Sequence, residues 1–207
     1  MSKQSILYVI AAPSGGGKTS LVNALVQSEK DIRISVSYTT RPPRPGEQEG
    51  VNYHFVEEST FRQMIEDGIF LEYAEVYGYL YGTSRQWIVE QLTQGIDVVL
   101  EIDWQGARQI ARLFHHLKLI FILPPSLDVL QKRLETRKQD SPEVIQQRMR
   151  QAIAEMSHYH EFGYLIVNDD FNLALANLRA ILHSERLKRS YQAEKLSELL
   201  ADLLQKR

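Results

Sequence analysis

The sequence predicts an α/β protein, a parallel sheet flanked by helices and interrupted once by a small mixed α/β insert. Three observations lead there. Apolar runs alternate with stretches of helical periodicity, the glycine-rich turn Ala12–Thr19 joins the first run to the first helix, and the rhythm breaks between about Arg33 and Gln94. Alternating strand and helix patterns give βαβ units, which build a parallel sheet.

The first buried strand is Ile6–Ile10, and the helix Thr19–Ser28 follows with Leu21, Val22, Leu25 and Val26 at helical spacing. Between them stands Ala12-Pro13-Ser14-Gly15-Gly16-Gly17-Lys18-Thr19. Strand, glycine-rich turn, Lys-Thr and helix, in that order, are the context of a P-loop. The glycines let backbone N–H groups close around phosphate oxygens, and the helix N-terminus adds partial positive charge. Lys18 then reaches the β/γ-phosphates and the Thr19 hydroxyl ligates Mg²⁺. Ala12 stands where the usual first glycine would be. The predicted class is therefore a P-loop NTPase-type sheet, and the chain is expected to bind a nucleoside triphosphate.

The stretch from about Arg33 to Gln94 holds alternating segments (Ile34, Val36, Tyr38; Tyr53, Phe55), two short helical patterns (Thr60–Glu66, Ser84–Leu92) and a cluster of Pro, Gly and Tyr. It reads as an insert standing off the sheet. Val98–Ile102, Leu119–Leu123 and Tyr164–Val167 supply the other buried strands, followed by helices at Gln105–Leu113, Leu127–Arg137 and from about Asn172. Lys138 to Glu143 is polar and turn-like, and Ser141 and Pro142 suit the cap and first position of a helix with Ile145, Met149, Ala152, Ile153 and Met156 on one face. Lys132, Arg133, Arg137, Lys138, Arg148 and Arg150 flank this hairpin, which is either a surface loop or a mobile lid. The expected organisation is a core of residues 1–32 and 95–207, with a lid at about 136–143, and an insert of residues 33–94.

At 207 residues and 43% hydrophobic composition the chain can bury one sizeable core. A net charge of −2 argues against nucleic acid or an anionic membrane as partner. The absence of cysteine excludes disulfides and thiolate metal sites. The N-terminal apolar stretch is too short for a signal peptide or a membrane span, so a cytoplasmic protein is expected. None of the six histidines, His115-His116 and His158/His160 included, has a metal-ligand spacing. Leu196, Leu199, Leu200 and Leu203 form an apolar stripe on the last helix, suited to the chain's own core or to a homo-oligomer interface. The core is the favoured alternative.

Six further blocks carry a resemblance. Ser35-Val36-Ser37-Tyr38-Thr39-Thr40-Arg41-Pro42-Pro43-Arg44-Pro45-Gly46-Glu47, Gly50-Val51-Asn52-Tyr53, Phe70-Leu71-Glu72-Tyr73, Tyr81-Gly82-Thr83-Ser84, Glu101-Ile102-Asp103-Trp104-Gln105-Gly106 and Val167-Asn168-Asp169-Asp170 resemble the guanylate kinases, in that family's order and across nearly the whole chain. The Ala-Pro-Ser-Gly start of the loop is similar to the bacterial enzymes. The resemblance implies Mg²⁺-dependent phosphoryl transfer from ATP to GMP, and to dGMP, in purine nucleotide metabolism. It also implies that the insert binds GMP and that a lid near Thr136–Glu143 closes over the triphosphate.

Such a reaction brings two anions together, so positioning and charge stabilisation carry the catalysis. The cations available are Lys18, Arg41, Arg44, Arg133, Arg137, Arg148 and the metal. Arg41 and Arg44, kept apart by Pro42-Pro43, would hold the GMP phosphate with Tyr53 and Tyr81; the alternative is surface pairing with Glu47 and Glu49. Glu72 can accept from guanine N1–H and the exocyclic amine, a donor pair adenine lacks. By resemblance Ser37 and Thr83 join the base site, as does the acidic position matched by Glu101. Asp103, at the end of its strand, is where a P-loop fold places the acid that holds Mg²⁺ directly or through water, unless it merely caps the following helix. Glu101, two residues earlier, would point to the same side. The resemblance makes Arg137 and Arg148 lid-side catalytic groups beside Lys18 and Arg44. It also makes Arg133 a support for the ATP phosphates and Asn168 an adenine-side contact. Thr136 and Lys138 flank Arg137 where the family commonly has glycines, which leaves less backbone freedom for closure. Two rivals stand beside this reading: a kinase for AMP or a pyrimidine nucleotide, and a guanylate-kinase-like scaffold that binds phosphopeptides. The second commonly lacks an intact P-loop, whereas Gly17-Lys18-Thr19 is present here.

Overall fold

A five-stranded parallel sheet forms the centre of the computed structural model, which describes residues 5–114, 117–136 and 141–205. Its strands are β1 (Leu7–Ala11), β2 (Ile32–Ile34), β7 (Asp97–Glu101), β8 (Lys118–Leu123) and β9 (Tyr164–Val167), in the order β2-β7-β1-β8-β9. All five residues of β1 are buried, as expected for a central strand covered on both faces. Alternate residues of β1 feed two cores. Tyr8 and Ile10 pack with Leu21, Val22 and Leu25 of α1 (Lys18–Ser28) and with Leu178 and Leu182 of α7 (Phe171–Arg186). Leu7, Val9 and Ala11 pack with Ile88 of α3 (Arg85–Thr93) and Ile110 of α4 (Trp104–Ala111) on the other face. The sheet is a layer between two hydrophobic seams. Its strands' carboxyl ends open beside β1, from which the sheet extends to both sides, the usual place for a ligand in such sheets.

The insert builds a second sheet of four strands, in the order β4-β3-β6-β5, from β3 (Tyr38–Thr39), β4 (His54–Phe55), β5 (Phe70–Val76) and β6 (Tyr79–Ser84). Helix α2 (Glu58–Glu66) seats Phe61 in its interior, stacked on Phe70 with centroids 4.5 Å apart. Two parts of the stretch assigned to the insert lie with the central sheet instead. Arg33 and Ile34 belong to β2, which pairs with β7, and α3 covers β7 through Ile88. A three-residue strand has too few alternations to show a period in sequence.

Helices α5 (Leu127–Thr136) and α6 (Pro142–Met156) bracket the expected lid, of which residues 137–140 lie outside the described residues. Ser141 caps α6 through Val144 N–H, with Pro142 at the first position, as its sequence foretells. After a 3₁₀ turn (Ser157–Glu161), β9 and α7, the chain ends in α8 (Arg189–Lys195) and α9 (Ser197–Leu204). The leucine stripe, expected to favour the core, is largely exposed instead: Leu196 is half-buried, while Leu199, Leu200 and Leu203 face outward on α9, which packs against α8. No helix among the described residues is long and apolar enough to cross a membrane.

Candidate active site

The turn after β1 is a cradle of main-chain donors. Gly16 N–H bonds to Pro13 O at 2.8 Å, and Gly15 and Gly17 hold φ of 86° and 87°, a region costly to any side chain. Gly17 precedes α1 without a side-chain cap, so the first amides of that helix keep their donors for an anion. Asn168 fixes the cradle from behind. It is buried, its Nδ2 donates to Gly16 O at 2.9 Å, and a Cβ on Gly17 would lie 2.3 Å from the same nitrogen. Arg133 in turn donates from Nη2 to Asn168 O at 2.8 Å, while its buried Nη1 has no partner among the described residues.

In front of the cradle lies a cavity of about 350 Å³, lined from Ala12 to Thr19 on one side and by Ser37, Arg41, Arg44, Tyr53, Glu72 and Tyr81 on the other. Glu101, Asp103 and Arg148 also line it. The residues expected to hold two different nucleotides therefore share one cleft. Arg133, Thr83 and Asn168 stand behind its wall, and Arg137 lies outside the described residues.

Glu72 is the most informative side chain facing the P-loop across the cleft. It is 3% exposed, and its Oε1 accepts from the Thr83 hydroxyl at 2.5 Å. Burial lifts its carboxyl to about 7, with the nearby Asp103 adding to the rise, while Thr83 and Lys18 oppose it. Gly106 makes room for it: a Cβ there would lie 2.4 Å from Glu72 Oε2. That requirement escapes sequence reading, since Gly106 looks like an ordinary helical glycine.

The two acids at the end of β7 divide, Asp103 taking the helix-cap position that the sequence left open as its alternative. Glu101 accepts a hydrogen bond from the Thr19 hydroxyl. Asp103 lies beyond the strand and caps α4, its Oδ1 accepting from Gly106 N–H at 2.9 Å and its Oδ2 from Gln105 at 3.1 Å. Period-two reasoning fails here because the chain leaves extended pairing at Glu101. Lys18 Nζ donates to Ile102 O at 3.1 Å, which holds the ammonium at the floor of the cleft.

Arg41 is buried and ion-paired, its Nη2 lying 2.7 Å from Glu47 Oε1. Glu47 also accepts the Arg44 N–H at 2.7 Å, so one carboxylate organises the turn that carries both arginines. Burial pushes the Glu47 carboxyl up, yet the bonds from Arg41 and Arg44 bring it below its ordinary value. Arg44 itself is exposed at the cavity rim. Tyr53 packs edge-on to Tyr81 with centroids 5.9 Å apart, and burial, followed by the charge of Glu101, lifts its hydroxyl to about 12. Tyr53 therefore stays protonated as a donor. Among the described residues no cluster of three or more His, Cys, Asp or Glu could hold a metal by itself.

The guanylate kinase family model matches residues 4–185. A guanylate kinase of Coxiella burnetii is 54% identical over 200 residues, spanning 97% of each chain. One from Methylococcus capsulatus is 57% identical over 201 residues, covering 97% of this chain and 98% of that one. A crystal structure of guanylate kinase from Anaplasma phagocytophilum superposes with a TM-score of 0.77 at 32% identity, over 91% of this chain and 89% of the other.

Proposed function

The chain belongs to the guanylate kinase family, and from that premise we propose that it transfers the γ-phosphoryl group of ATP to GMP, and to dGMP, giving ADP and GDP. The observation that carries the reading is the buried carboxylate of Glu72 facing the same cavity as the P-loop. Such a group demands donors, and guanine presents two in one plane, whereas adenine presents a lone pair where N1–H should be. Rejection of adenine then rests on leaving a buried acid unmatched, which costs more than a missing contact. Thr83 aims the carboxylate and Ser37 adds a hydroxyl at the base.

Arg41, Arg44, Tyr53 and Tyr81 take the GMP phosphate. Arginine suits the task because its fork grips two oxygens and keeps its charge when buried. The Glu47 carboxylate stands in that place for an anionic partner, keeping Arg41 extended until the phosphate arrives. Across the cleft Ala12, Pro13, Ser14, Gly15, Gly16, Gly17, Lys18 and Thr19 surround the ATP phosphates, with Lys18 drawing charge from the transferring group. Arg133 supports the same phosphates, and Asn168, the adenine-side contact, also holds the P-loop in shape from behind. Arg148 lines the cleft between the two halves, where the phosphoryl group passes. Arg137 keeps the catalytic role its sequence position implies.

The hydroxyl of Thr19 and the carboxylate of Glu101 are hard oxygen donors, of the kind Mg²⁺ accepts beside water and phosphate oxygens. The donor set fits the ion. Glu101 serves the metal side, the role the strand spacing gave to Asp103, and Asp103 stands beside Glu72 at the base. Bound there, Mg²⁺ would neutralise charge on the β- and γ-phosphates. The acceptor oxygen of GMP is already anionic, so no strong general base is required. The protein is proposed to work in the cytoplasm, without nucleic acid or membrane as partner, and assembly through the exposed leucines of α9 would make it a homo-oligomer. A coupled ADP-release assay across GMP, dGMP, AMP, CMP and UMP tests the reading. Turnover with GMP and dGMP is expected; equal turnover with AMP would overturn the role of Glu72.

A further inference from the structure

Glu155 is a half-buried carboxylate in the last turn of α6 that the scheme above leaves unused. Its Oε2 accepts from Ser14 N–H at 3.3 Å, within the P-loop, and its Oε1 accepts from the Tyr77 hydroxyl at 3.2 Å. Tyr77 sits at the tip of the β5–β6 hairpin with φ of 55°, a conformation non-glycine residues seldom adopt. The Arg148 guanidinium lies 5.9 Å from the centre of its ring. Arg148 and Glu155 are seven residues apart, about two helical turns, so one face of α6 meets both the ring and the hydroxyl of this tyrosine. P-loop, insert hairpin and α6 are joined at this point.

A P-loop amide is an anion site, and here an internal anion already occupies it. Tyr77 and Glu155 line the same cleft as Lys18 and Arg148, so the carboxylate stands in space that a polyphosphate on the P-loop would need. Two anions crowded at one N–H donor repel each other. The incoming triphosphate therefore evicts Glu155 from Ser14, and a carboxylate that swings away leaves Tyr77 without its acceptor. The hairpin so released bears Glu72 on one strand and Tyr81 and Thr83 on the other. We propose that Glu155 is a positioning residue that engages the Ser14 amide of the donor cradle, and that its displacement by the triphosphate unlatches the insert through Tyr77. The inference rests on the P-loop being the ATP site.

The test is calorimetric binding of magnesium-AMP-PNP, and separately of GMP, to the full chain and to its Glu155→Gln, Tyr77→Phe and doubly substituted forms. A charged acceptor binds an amide roughly twice as strongly as a neutral one, so Glu155→Gln should bind AMP-PNP about threefold to tenfold more tightly. Tyr77→Phe removes the second anchor and should tighten binding in the same direction by less. The double form should fall short of the product of the two single effects, because both changes act on the Tyr77–Glu155 contact. Without the analogue, GMP should bind the substituted forms as it binds the unsubstituted chain with the analogue present, because either removes the latch from the hairpin that carries Glu72, Tyr81 and Thr83. A merely structural loss would weaken ligands and never tighten one of them. Unchanged or weaker AMP-PNP binding in folded Glu155→Gln overturns the proposal. Should that form fail to fold, unchanged or weaker binding in Tyr77→Phe overturns it instead. No AMP-PNP binding by the unsubstituted chain would overturn the donor-site reading and the latch with it.

Discussion

Gly106→Ala places a methyl group against the residue proposed to choose the base. The new Cβ would lie 2.4 Å from Glu72 Oε2 and 3.0 Å from its Cδ, where ordinary contact begins near 3.4 Å, so the carboxylate must retreat by about 1 Å (3.4 − 2.4). It has little room to do so, being 3% exposed and tied to Thr83 at 2.5 Å. The backbone tolerates the change, because Gly106 lies inside α4 and has no positive φ, and alanine is the better helix former by about 1 kcal/mol. The damage should thus fall on recognition and not on folding. Losing one hydrogen bond to a charged group costs about 1.5–3 kcal/mol, or roughly 10- to 150-fold. Steady-state kinetics should show kcat/KM for GMP falling by that factor while KM for ATP holds, in a protein that still unfolds cooperatively. Unchanged kcat/KM for GMP in folded Gly106→Ala would refute the claim that Glu72 is aimed by packing.

Three further changes separate the parts of the site. Glu72→Gln should abolish the preference for GMP over AMP and remove a pH dependence of stability. The folded carboxyl titrates at about 7 against an unfolded value near 4.5, so between these the folded state holds the extra proton and stability falls as pH rises. The contribution is roughly 3 kcal/mol across that window, seen by urea unfolding of both forms at pH values from about 5 to 8, and identical slopes would contradict it. Lys18→Ala should lower kcat by about 10²-fold or more with GMP binding intact, measured by single turnover and calorimetry. Asn168→Ala leaves the Gly16 carbonyl buried without its partner. It should cost about 1–3 kcal/mol in denaturant unfolding and raise KM for ATP but not for GMP.

How much of this was legible in the chain depended on the range of the interaction. Strands β1, β7, β8 and β9 and the cradle after β1 announce themselves because apolar runs and glycine turns are local signals. The short strands β2, β3 and β4, two or three residues each, owe their existence to neighbours far along the chain. The cleft is partly legible: the family resemblance marks Arg41, Tyr53, Glu72 and Tyr81, and all line it. The division between Glu101 and Asp103 was not, since it turns on where β7 stops. Gly106, Tyr77 and Glu155 were missed for the same reason. A glycine's need for space, or an acid's reach to an amide 141 positions away, exists only in three dimensions. The seven-residue step from Arg148 to Glu155 on one helix face was the single local hint. The leucine stripe shows the converse, a clear local pattern that is left mostly exposed among the described residues.

The central claim is that one cleft aligns a triphosphate with a guanine nucleotide so that the terminal group passes directly between them. Incubation with ATP labelled in its γ-phosphoryl group, together with GMP, tests this most directly. The label should appear in the β-position of GDP, with little in inorganic phosphate. Label found only in inorganic phosphate, or retained in ATP by well-folded protein, would contradict it.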